Sequence, residues 1–216
     1  FSIVVAFVFG FVSAQNTNAQ RYLTEIKSSS EAKGIAQFAN DLSDFLTQAN
    51  LVETQNNPAN IKKLEMLGKK VKDGTSNVRS NLKGLVTLLK NQNRWDNNLD
   101  TEINDLFGNR KIKGFFQRNG GRKILTDAEG AINALNADVD TIINNAKKAT
   151  ASAFNSDGIF MQTSFASKNS GRKFKLKCAV LGVAIFGAEL IKADRTAENL
   201  DGIFDKSCGA GATTAT

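Results

Sequence analysis

Apolar residues recur along most of this chain at steps of three and four, the spacing that gathers them on one face of an α-helix. Strand-like alternation is scarce. The first clear stripe is Ile35, Phe38, Leu42, Phe45, Ala49 and Val52, which predicts a helix from Ser28 to Val52. Ser28 and Glu31 have the spacing of a capping box at its start. Asn56-Asn57-Pro58 ends it, because a residue before proline avoids the α region. Pro58 then suits the first position of a second helix, where its missing N–H is not needed. That helix carries Ile61, Leu64, Leu67, Val71, Val78, Leu82, Leu85 and Leu89 to about Lys90, and periodicity alone does not decide whether Asp73-Gly74 splits it in two. A short third helix holds Trp95, Leu99, Ile103 and Phe107, with Gly108 as its stop.

The longest pattern lies further on. Thr126 and Glu129 make a second capping box, and Ala128, Ile132, Leu135, Val139, Ile142, Ala146, Ala149 and Ala153 alternate four- and three-residue steps. That is a heptad seam, open either to the rest of the chain or to another chain. Asn155 to Gly171 has loop composition, and the last helix is expected from Arg172 to Lys206. Within it CAVLGVAIFGA is apolar on every side, as in a helix surrounded by others. These eleven uncharged residues are too few to span a bilayer. Ala184 and Ala188 add a small-residue face for close helix contact. The expected fold is all-α: an antiparallel helical bundle of about five helices, one domain over residues 15–208, and a disordered tail at 209–216.

Residues 1–14, FSIVVAFVFGFVSA, are uncharged and close on small residues. They have the form of a signal-peptide apolar segment cleaved before Gln15, and are shorter than the roughly 20 residues a membrane span needs. Secretion into the extracellular space is therefore expected. In that setting the two cysteines, Cys178 and Cys208, are expected to pair as one disulfide. No Asn-X-Ser/Thr acceptor for glycosylation is present.

Charge and composition narrow the chemistry. The net charge is +7, which favours anionic partners. Histidine is absent, which removes the usual general base, the commonest zinc ligand and every His-based triad. No catalytic residue, metal or cofactor is expected, and the carboxylate pairs Asp41/Asp44 and Asp138/Asp140 fit solvated helix faces.

Two basic runs are the candidate contacts for an anion or a membrane. The first holds Arg110, Lys111, Lys113, Arg118, Arg122 and Lys123 around Phe115 and Phe116. It has the form of an interhelical loop, its rings either pinned to the core or presented to lipid. Gly120-Gly121-Arg122 at a helix start would offer free N–H groups to an anion. The second holds Lys168, Arg172, Lys173, Lys175 and Lys177, just before the apolar helix. Fifteen phenylalanines also allow a cavity for lipids or other apolar ligands. The functional expectation is a non-enzymatic secreted binding protein for apolar small molecules, anionic membranes or anionic glycans, with nucleic acid disfavoured. The alternatives are a membrane-active effector that inserts its apolar helix, and an interaction module that uses the heptad seam.

Overall fold

The computed structural model describes residues 18–91, 97–154 and 178–208. The N-terminal apolar segment, Trp95, the stretch from Asn155 through Lys177, which includes the second basic run, and the tail from residue 209 lie outside the described residues. Among the described residues the chain is all-helical, with no strand and one disulfide, Cys178–Cys208.

Among the described residues eight helices replace the expected five or so: α1 (18–28), α2 (Ser30–Thr54), α3 (Pro58–Asn91), α4 (Asn97–Leu106), α5 (Ile112–Asn119), α6 (Gly121–Phe154), α7 (Cys178–Leu190) and α8 (Asp194–Cys208). Each of the three additions has a local cause. Residues 18–28 form α1 with Ala19, Leu23 and Ile26 buried at the same three- and four-residue steps as elsewhere. Ser28 closes that helix, donating its hydroxyl to the Thr24 carbonyl at 2.6 Å. The cap of α2 is the next residue: Ser29 Oγ accepts from the Ala32 N–H at 3.1 Å. Within the expected interhelical loop at 110–123, Ile112–Asn119 is helical, because Ile112 and Phe116 are i,i+4 partners that both turn into the core.

The third addition divides the last helix. Ala193 N–H donates to the Ala188 carbonyl and Lys192 N–H to the Glu189 carbonyl, while Lys192 takes φ +58°. This is a Schellman stop with a lysine where glycine is usual. It folds α8 back along α7 and brings the Cα atoms of Cys178 and Cys208 to 5.9 Å. An unbroken helix would hold them about 45 Å apart, so the disulfide and a continuous helix exclude each other.

α3 passes without a break through Asp73-Gly74, where periodicity alone leaves one or two helices open. One further expectation changes. α6 starts at Gly121, five residues ahead of the expected cap, so Thr126 is interior and donates its hydroxyl back to Arg122 O at 3.0 Å. The short turn before α3 forms as its sequence indicates: Asn57 Oδ1 accepts from Asn60 N–H at 2.9 Å, and Pro58 takes the first helical position.

Cross-helix contacts give the directions. Asp41 meets Lys70, and Gln48 donates to the Asn60 carbonyl, so α2 and α3 run antiparallel. Glu65 pairs with Lys147, Lys72 with Asp140, and Arg79 donates to Asn133, so α6 runs antiparallel to α3. The stripe Ala128, Ile132, Leu135 and Val139 is buried within the chain, and α3 is the principal neighbour of α6. α7 is buried on every side from Val180 to Ala188, as its composition requires. Its closest approach is at Gly187, where a Cβ would lie 3.0 Å from backbone atoms of Ile35 and Ala36 on α2. α8 then lies parallel to α2 along a polar ladder. Thr196 donates to Asn40 Oδ1 at 2.7 Å, and Asn199 donates to the hydroxyls of Ser43 and Thr47 at 2.8 Å.

Candidate functional site

The first basic run begins at the turn between α4 and α5. Phe107 closes α4 with its ring in the core, and Gly108 at φ +50° reverses the chain, as expected of that glycine. The two phenylalanines of the run separate from there. Phe116 is buried and stacks at 4.6 Å on Phe107 and 6.2 Å from Phe186. Phe115 is half-buried with its ring 5.3 Å from Phe204 on α8. Both rings are therefore spent on packing α5 against α7 and α8.

The helix starts that would offer N–H groups to an anion are already filled by the protein's own carboxylates. Asp201 on α8 is 9% exposed and accepts from Ile112 N–H at 2.9 Å and Lys111 N–H at 3.0 Å, capping α5. Asp100 on α4 accepts from Gly121 N–H at 2.9 Å, capping α6 at the Gly120-Gly121 joint. A carboxylate at a helix N-terminus is favoured by the free N–H groups and the helix dipole alike.

The six cations of the run divide in two. Arg110 is largely buried and pairs with Glu189 on α7, with Asp194 at 4.0 Å. Lys113 pairs with Asp105 at 3.5 Å, and Lys123 with Asp127 one helical turn on. Lys111, Arg118 and Arg122 are exposed and make no ion pair among the described residues. Lys111 and Arg118 are seven residues apart and share the outward face of α5, while Arg122 follows on the first turn of α6. Their arrangement rests on the Asp201 and Asp100 caps, which sequence reading missed. Nothing near Asp201 in the chain marks it as the cap of a helix some ninety residues earlier.

Two clefts border this region, each about 460 Å³. One lies over Phe107, Arg110, Glu189 and Asp201; the other over Asp100, Gly120, Arg122 and Asp127. Both are open and have charged walls. No group of three acidic, cysteine or histidine side chains suited to a metal occurs among the described residues, and no described helix is long and apolar enough to cross a membrane. No protein-family model, curated protein or solved structure matches this chain at a significant level.

Proposed function

We propose that this is an extracellular, non-enzymatic binding protein for anionic surfaces, and that Lys111, Arg118 and Arg122 make the contact. One observation carries the reading: these three cations are exposed on adjoining helices and make no ion pair among the described residues, while Arg110, Lys113 and Lys123 are paired. Anionic surfaces are favoured over an apolar ligand because Phe38, Phe45, Phe107, Phe116, Phe186 and Phe204 are buried, Phe115 packs on Phe204, and the clefts beside the run are open with charged side chains in their walls. The Cys178–Cys208 bond fits an oxidising compartment. The directions of α2, α3, α6, α7 and α8 support reading the fold as an antiparallel bundle with α8 laid beside α2.

The test is binding to phosphatidylserine vesicles and to a soluble sulfated polysaccharide, each at low and high salt. The triple variant K111Q/R118Q/R122Q is expected to bind about fivefold more weakly for each cation removed. Undiminished binding by that variant, with unchanged helix content, refutes the assignment of the contact.

A further inference from the structure

α3 is the most basic of the described helices: eight lysines and arginines stand against two acids, a net charge of +6. Near its N-terminal end that charge surrounds an apolar side chain. Met66 is 59% exposed, the most exposed large hydrophobic residue among those described. Lys62 and Lys63 precede it by four and three residues, and Lys69 and Lys70 follow by three and four, so all four are its nearest neighbours on the helix surface. All four are exposed. Lys62 and Lys63 make no ion pair among the described residues. Lys69 pairs with Asp73 at 2.5 Å and Lys70 with Asp41 at 3.5 Å, surface pairs of a kind that contribute little and exchange readily. Glu65, on the same turn, is held by Lys147 on α6, and the antiparallel register of α2 sets Asp44 about level with Met66.

We infer that this face of α3 docks on an anionic lipid bilayer, with Met66 entering the headgroup boundary inside a ring of lysine–phosphate contacts. A thioether is flexible and polarisable enough to accept an irregular apolar environment. Lysines lay their methylene stems along an apolar surface while the ammonium groups reach out to headgroups. The apolar centre selects the partner: a sulfated glycan offers charge to the lysines but no apolar phase to Met66. The face is separate from the α5–α6 cations. The α3–α6 register set by Lys72–Asp140 and Arg79–Asn133 places Arg122 opposite residue 90. That is some 36 Å along α3 from Met66. The inference extends the proposed binding to anionic surfaces by naming a lipid bilayer and a second contact, and does not depend on the first.

The experiment is co-sedimentation of the full mature chain with phosphatidylcholine vesicles, with and without phosphatidylserine, and parallel binding to a soluble sulfated polysaccharide. Four proteins are compared: wild type, M66Q, K62Q/K63Q/K69Q/K70Q and K111Q/R118Q/R122Q. Circular dichroism confirms that the helices are intact. The expected result is binding that needs phosphatidylserine, falls by about fivefold per lysine in the quadruple variant, and weakens several-fold in M66Q. M66Q should leave polysaccharide binding unchanged. If only the α5–α6 variant loses vesicle binding, the α3 inference is overturned and the first contact stands. If M66Q binds vesicles as wild type does, or wild type binds polysaccharide alone, the bilayer is not what this face recognises.

Discussion

The starts of α2 and α5 solve one problem in opposite ways. α2 is capped by Ser29, whose hydroxyl takes an N–H three residues along the same segment, and α3 is opened by Asn57 in the same local manner. α5 is capped by Asp201, 89 residues downstream of Ile112, and α6 by Asp100, 21 residues upstream of Gly121. A local cap acts as soon as its own turn forms. A distant cap acts only once the chain has assembled, so the outward cations of α5 and α6 are positioned by the docking of α8 and α4. The contrast locates the cooperativity of this protein at the corner where α4, α5, α7 and α8 meet.

That contrast can be broken or sharpened by stability measurements in urea. Phe116→Ala should cost most, about 3–5 kcal/mol, since it removes a buried ring that touches Phe107, Phe115 and Phe186. A much smaller cost would mean that the corner is held by its charged groups instead of its rings. The C178A/C208A pair opens a loop with a sequence separation of 30 and should cost about 3–4 kcal/mol. Asp201→Ala leaves two N–H groups without their acceptor and should cost about 1–3 kcal/mol. Ser29→Ala should cost about 1 kcal/mol. Equal losses at Asp201 and Ser29 would erase the distinction between distant and local caps. The smallest effect has the opposite sign: Lys192→Gly should stabilise by about 0.5–1 kcal/mol, because glycine bears no steric penalty at φ +58°.

The same division explains what was legible in the sequence. The stripe from Ile35 to Val52, the Pro58 start, the Gly108 stop and the all-round apolar character of α7 depend on neighbours within a few turns, and each is found in the structure. Phe115 and Phe116 were visible as rings inside a basic run, but their destination against Phe107, Phe186 and Phe204 depends on chain partners up to ninety residues away. The break at Ile191–Ala193 escaped notice because its left-handed residue is a lysine, with no Gly or Asn to mark it. One signal was available: two cysteines cannot pair from the two ends of one straight helix. Met66 escaped as well, since burial decides whether a methionine on an amphipathic helix belongs to the stripe or to the surface.

The seating of α7 and α8 on α2 also governs the order of events while the chain is being made. Thr196 and Asn40 are 156 residues apart, and Gly187 packs on Ile35 across a similar span. At about 5–20 residues per second, ribosomal synthesis leaves the face of α2 that carries Ile35 and Ala36 without its cover for roughly 8–30 s. Hairpin pairing of α2 with α3 takes far less time than that. A half-built intermediate therefore persists with an apolar surface open, and its protection until α7 and α8 arrive falls to whatever chaperone or translocation machinery holds the nascent chain.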